Sequence, residues 1–181
     1  MINVEATNKM SKTVRLILGD QLNINHSWFQ TIDESITYVL MEIRSETDYA
    51  THHIQKIVGF FSAMRNFASE LQSKNHQVVY YKLNDENNLQ AFDKNIKQLI
   101  DKEDFTHFEY QLPDEYRLDE VLKNFCETLS ISSSVVDSEH FMSSRTELGE
   151  FFEGKKTFLM ESFYHMMRKK HHVLMQGDKP L

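Results

Sequence analysis

Five short runs of β-branched and aromatic residues recur along the chain, separated by stretches with helical periodicity. That alternation limits the fold more than any other feature. The runs fall at 13–18 (TVRLIL), 36–43 (ITYVLMEI), 78–83 (VVYYKL), 105–110 (FTHFEY) and 130–136 (SISSSVV). Their composition suits a pleated, half-buried backbone. The second is apolar at most positions, as in a strand covered on both faces. Between the runs, 48–71 carries Ile54, Ile57, Val58, Phe61, Met64, Ala68 and Leu71 at three- and four-residue steps, the spacing of one helix face. Residues 87–102 repeat the pattern with Leu89, Phe92, Ile96, Leu99 and Ile100 inward, and 112–129 supplies a further turn and helix. Strand and helix in this order specify an α/β fold: a Rossmann-like three-layer sandwich of about five mainly parallel strands flanked by helices, with right-handed crossovers.

The 181 residues divide into a flexible N-terminal extension (1–12), the α/β domain (13–137) and a helical C-terminal segment (138–181). A chain of this size buries roughly 70% of its unfolded surface and needs no disulfide or metal staple. Gly (5) and Pro (2) are scarce against 13 Phe, which excludes a disordered chain and a turn-rich all-β fold. The net charge of −7 argues against a generic nucleic-acid coat. Cys126 stands alone, so neither a disulfide framework nor a self-contained cysteine cluster can form. No apolar run approaches the ~18 residues of a membrane span, and the N-terminus carries no signal-peptide core. The expectation is a cytoplasmic protein with no membrane partner. Residues 158–172 read as a helix ending in Arg168, Lys169, Lys170, His171 and His172. Those cations complement the helix dipole or mark a phosphate contact or docking surface.

The candidate site centres on 41–71. Taken as helical from Asp48, this stretch has a second face carrying Tyr49, His52, His53, Lys56 and Phe60, beside a turn with Glu42, Arg44 and Glu46. Ser45, Thr47 and Asp48 are candidate N-caps. A phenol, two imidazoles and an ammonium within three turns suit a ligand rich in carbonyls and hydroxyls; a solvated polar face is the ordinary alternative. The first run ends in Gly19-Asp20, which places a carboxylate at the carboxyl edge of the sheet, where α/β folds bind ligands. Either Asp20 belongs to a site there, or it caps the next turn. No dinucleotide fingerprint, phosphate loop or nucleophile elbow occurs. The nine histidines show no zinc spacing, and adjacent His52 and His53 diverge by about 100° on a helix. No complete catalytic set is present.

Several linked motifs carry a resemblance. Leu16-Ile17-Leu18-Gly19-Asp20-Gln21-Leu22 is followed by Glu46-x-x-Tyr49-x-x-His52-His53-x-x-Lys56-Ile57 and then Phe61-Ser62-Ala63-Met64-Arg65-x-Phe67-Ala68. Further on come Pro113-Asp114-Glu115-Tyr116-Arg117, Phe141-x-Ser143-Ser144, Gly154-Lys155-Lys156, Met160-Glu161-x-Phe163-Tyr164-x-x-Met167-Arg168 and Leu174-Met175-x-Gly177-x-x-Pro180. In order and spacing these resemble the bacterial iron–sulfur cryptochrome/photolyase group, the photolyase-related proteins that include prokaryotic six-four photolyases. Two departures fall in one loop: Asp114 and Tyr116 stand where the family has the Gly and Trp of P-G-E-W-R.

The resemblance implies the N-terminal antenna domain of such a protein, which holds a ribityllumazine or flavin-like chromophore and passes excitation to FAD in a separate helical domain. It implies Asp20, Glu46, Tyr49, His52 and Lys56 at the chromophore pocket, with Phe60 on the same face where its ring competes for the space. The family's FAD-binding domain and cluster cysteines follow the region matched here, so FAD and the iron–sulfur cluster are not expected in this chain and no metal ligand is assigned. The expected role is light harvesting in a DNA-repair or photoreceptor context, catalytically incomplete alone, with the chromophore as ligand. A catalytic domain supplied elsewhere would be the partner, and DNA would be met only through the whole assembly. The alternative is a truncated photolyase-related scaffold that binds no chromophore.

Overall fold

The computed structural model describes residues 11–177 and 179–181. The chain divides into two compact units, one ending at Val136 and one spanning Asp137–Leu181. Residues 1–10 of the expected extension lie outside the described residues. Lys12, just before the first strand, is tied toward the fourth, its carbonyl accepting from Thr106 N and His107 N at 2.9 and 3.2 Å.

The first unit is the expected α/β sandwich. Strands β1 (Thr13–Leu16), β2 (Ile36–Met41), β3 (Gln77–Tyr81), β4 (His107–Gln111) and β5 (Ser132–Val136) form one sheet. Their order is β3-β2-β1-β4-β5 and every neighbouring pair is parallel. Leu16 lies opposite Val39 on one side and Tyr110 on the other. Successive side chains alternate between faces. Val14, Leu16, Val39, Met41 and Phe108 pack with α2 (Phe92–Lys102) and α3 (Tyr116–Glu127). Ile17, Tyr38 and Leu40 pack with Trp28, Phe29 and α1 (Ile54–Ser73). From β1 the chain builds outward to β2 and β3, then returns to lay β4 on the other flank of β1. The strand order therefore reverses between β1 and β4, which opens a crevice at their carboxyl ends.

Two helices begin later than their periodicity suggests. Helix α1 starts at Ile54, not at residue 48. His53 caps it, its Nδ1 accepting from Gln55 N at 3.2 Å. Ser45, Thr47 and Asp48 do not cap it; residues 44–46 form a 3-10 turn, and Thr47 Oγ1 bonds back to Arg44 O at 3.3 Å. Of the expected apolar stripe, Met64, Ala68 and Leu71 are buried in the core and Phe61 packs against it, while Phe67, outside that stripe, is buried with them. Ile54 and Val58 remain 65% and 56% exposed. Helix α2 starts at Phe92, and Leu89 lies exposed in the preceding loop. The cause is Asn88. Its amide donates to Glu42 O and Lys82 O at 2.7 and 2.9 Å, while its Oδ1 accepts from Gln90 N at 2.9 Å. These bonds give the backbone an alternative to the helix, and Gln90 adopts φ +62°, outside the helical region.

Beyond the end of β2 lies a buried charge. Glu42 is fully buried, and both its oxygens accept from Arg65, Nε at 2.6 Å and Nη2 at 2.8 Å. Tyr80 OH and Leu83 N complete the set at 2.8 and 2.9 Å. Burial pushes the Glu42 carboxyl up, but the bonds from Arg65, Leu83 N–H and Tyr80 outweigh it and hold the group below the usual carboxylate range. Glu42 thereby ties α1 to β3 and the loop beyond it.

The second unit contains α4 (Glu147–Phe152), α5 (Met160–Lys170) and a two-residue antiparallel pair, β6 (Met175–Gln176) with β7 (Lys179–Pro180). Phe152 and Phe163 are buried in it, with Phe151 and Phe158 rings packed edge-on against them. Of the cations closing α5, Arg168 donates to Leu174 O at 2.8 Å and Lys170 pairs with Glu147 at 2.5 Å.

Candidate functional site at the sheet crevice

A cavity of about 210 Å³ opens at the carboxyl ends of β1 and β2. Its apolar lining comes from Ile17, Leu18, Met41, Ile43, Met64, Phe92 and Leu118, residues that also build the two cores. Its polar lining comes from the turn after β1, the segment after β2 and the first turns of α1. All six sequence-chosen residues, Asp20, Glu46, Tyr49, His52, Lys56 and Phe60, line this one cavity. His53, expected beside them, is the helix cap instead.

Their mutual contacts are specific. Lys56 Nζ lies 3.3 Å from His52 Nδ1 and 5.8 Å from the Phe60 ring centroid. The ammonium has no lone pair, so it donates and the imidazole accepts at Nδ1. The Tyr49 and His52 rings meet edge to face at 5.2 Å. Tyr49 is 55% exposed and stands at the rim. Gly19 forms part of the wall where only a hydrogen fits comfortably: a Cβ there would meet Met64 Sδ at 3.2 Å and Phe60 Cδ1 at 3.6 Å.

Two further residues, outside the cavity lining, brace the segments around it. Gln21 is buried in the crevice where the strand order reverses. Its Oε1 accepts from Leu18 N at 3.0 Å, and its Nε2 donates to Gln111 O at 3.1 Å. One side chain thus joins the ends of β1 and β4. Gln21→Ala leaves Leu18 N–H and the Gln111 carbonyl without that partner and costs about 2 kcal/mol of stability, measured by urea unfolding. Arg117, in the first turn of α3, reaches Glu46 with two nitrogens at 3.0 and 3.3 Å. It also holds Glu115 at 2.8 Å and lies 4.6 Å from the Tyr49 ring centroid. Glu46 therefore contributes to the wall chiefly through Arg117. The sequence signal for Gln21 was its place in the Leu16–Leu22 motif. For Arg117 it was the loop beginning at Pro113, whose reach across β1 only the strand order reveals.

A concave apolar floor with a few polar groups at its mouth is the general make-up of a small-molecule site. Among the described residues, no group of three or more His, Cys, Asp or Glu is placed to hold a metal ion. Cys126 sits half-buried in α3, where burial pushes its thiol up, the state of an unreactive cysteine. No helix of the described residues is long and apolar enough to cross a membrane.

Residues 15–181 match the family described as deoxyribodipyrimidine photo-lyase-related protein. The chain is also similar to a (6-4) photolyase of Agrobacterium fabrum, with 35% identity over 173 residues. That alignment covers 95% of this chain and 34% of the relative, so the chain spans about a third of the length of the curated protein it matches. Sheet order, linked motifs and these similarities agree: the chain belongs to the deoxyribodipyrimidine photolyase-related family.

Proposed function

We propose that the α/β unit is an antenna-type domain that binds a ribityllumazine or flavin-like chromophore in the crevice cavity. Such a group, when bound, supplies absorption in the near-ultraviolet and blue. The observation that carries the reading is the convergence of Asp20, Glu46, Tyr49, His52, Lys56 and Phe60 on one cavity at the strand-order reversal. The apolar floor would hold such a ring, with Lys56 as a hydrogen-bond donor, Asp20 as an acceptor for hydroxyls and Tyr49 as an aromatic face at the mouth. Harvesting light requires orientation and exclusion of water but no general acid or base. In the DNA-repair setting that the (6-4) photolyase relative suggests, such a group would supply excitation energy to a flavin.

Tyr49→Ala and Lys56→Ala each lower ribityllumazine affinity about five- to thirtyfold, read by fluorescence titration. Unchanged affinity in both variants would reject the pocket assignment.

A second reading, an interaction domain with no chromophore, is favoured by a different observation. In the second unit Phe158, Leu159, Met160 and Tyr164 are all exposed around the start of α5, an apolar patch of the kind that binds partners. Docking through the basic end of α5 is the weaker version, since Arg168 and Lys170 are already engaged within that unit. Concentration-dependent sedimentation of a protein that leaves ribityllumazine fluorescence unchanged would favour this reading.

A further inference from the structure

We propose that Arg117 latches the outer wall of the cavity and sets the rate at which a ligand enters and leaves. This rests on the crevice cavity being a binding site, the reading above.

The wall is the segment between β2 and α1. It consists of a single 3-10 turn, Arg44–Glu46, and non-helical turns up to the His53 cap. Past the buried Glu42 and Ile43, which anchor its start, Asp48, Tyr49, Ala50 and Thr51 are exposed, so the outer part of the segment has little core burial of its own. The next element gives it no firm base, because Ile54 and Val58 are exposed and α1 becomes buried only from Met64. What fastens the wall is side-chain contact with the far side of the crevice. Arg117 grips the Glu46 carboxylate with two nitrogens and covers the Tyr49 ring, while Glu115 holds the guanidinium from its own side. Beyond Glu42, whose backbone is held by Tyr81 O and the Asn88 amide, a further bond from the wall to a neighbouring element is Arg44 N to Gln90 Oε1 at 3.2 Å.

The strand order makes this placement consequential. Glu46 follows β2 and Arg117 follows β4, and β1 lies between those strands. Their ion pair therefore spans the crevice above the end of β1, over the cavity that both Glu46 and Glu115 line. The side chains of Arg117 and Glu46 are 39% and 26% exposed. An ion pair that wet is screened by salt and readily broken, as an opening wall requires. Its planar fork and ring contact define the closed geometry.

Hydrogen exchange on the full chain tests the latch with no ligand present. Amides of 44–52 exchange about three- to tenfold faster in Arg117→Gln and in Glu46→Gln, while those of α2 keep their rates. The double variant exchanges no faster than Arg117→Gln alone, because that substitution already removes the pair with Glu46 and the cover over Tyr49. Stopped-flow mixing with ribityllumazine then shows association and dissociation accelerated together, and about 0.5 M salt accelerates them in the parent protein. Unchanged exchange at 44–52 in both single variants, additive effects in the double variant, or an equal rise throughout the domain would overturn the latch. If ribityllumazine gives no signal while the exchange response is intact, the latch stands and the chromophore reading fails.

Discussion

Replacing Arg65 with alanine lowers the stability of the α/β unit by about 3 kcal/mol at neutral pH. The loss comes from Glu42, a fully buried carboxylate that would keep only Tyr80 OH and Leu83 N–H as partners. Arg65 is half-exposed and sacrifices little burial of its own. In the parent protein the Glu42 carboxyl is held below its usual range. Its contribution to stability is therefore complete above the unfolded carboxyl's pKa, near 4.3, and is lost as pH falls through the lower folded value. Without Arg65 the burial that pushes the carboxyl up goes unopposed by the guanidinium. The folded variant then takes up a proton at a higher pH than the unfolded chain, and the penalty shrinks as the medium is acidified. Urea unfolding at several pH values should show the gap between parent and variant narrowing from pH 7 toward pH 5. A constant gap would contradict this account of Glu42.

If the crevice binds a chromophore as proposed, Gly19→Val abolishes that binding while leaving the domain folded. The first atom of the new side chain would lie 3.2 Å from Met64 Sδ and 3.6 Å from the Phe60 ring. Both neighbours line the cavity, and the new side chain at Gly19, itself a lining residue, narrows the space a ligand needs. Met64 is flexible and absorbs part of the strain, and overpacking of this kind costs about 1–3 kcal/mol. Ribityllumazine affinity falls at least about a hundredfold, because the ring and the valine compete for one volume. Calorimetric titration measures the affinity and circular dichroism verifies the fold. Retained affinity in a folded Gly19→Val variant would place the ligand elsewhere.

The fold was legible because strand and helix periods alternate so regularly. The five expected strands are the five strands of the sheet, each displaced by at most a few residues, while the short β6–β7 pair had no expected counterpart. Misplaced helix starts trace to side chains that outcompete periodicity, His53 capping at one site and Asn88 bonding the backbone at another. The apolar stripe of α1 predicted burial for Ile54 and Val58, yet a stripe cannot reveal where the underlying sheet stops. The six cavity residues were legible as three short segments near strand ends. Their grouping beside Arg117 and Gln21 was not, since both act across the β1–β4 reversal, and strand order is absent from local patterns. Glu42 was visible only as one more carboxylate in a turn. Its burial depends on Arg65 and Tyr80 arriving from other elements.

The most direct test of the central claim is a fluorescence titration of the purified protein with ribityllumazine, accompanied by a near-ultraviolet and visible absorption spectrum and mass spectrometry of any released compound. Saturable binding at one site, with a perturbed chromophore spectrum, is the predicted result. A colourless protein that leaves the lumazine's fluorescence unchanged at every concentration would contradict it, and the interaction-domain reading would take its place.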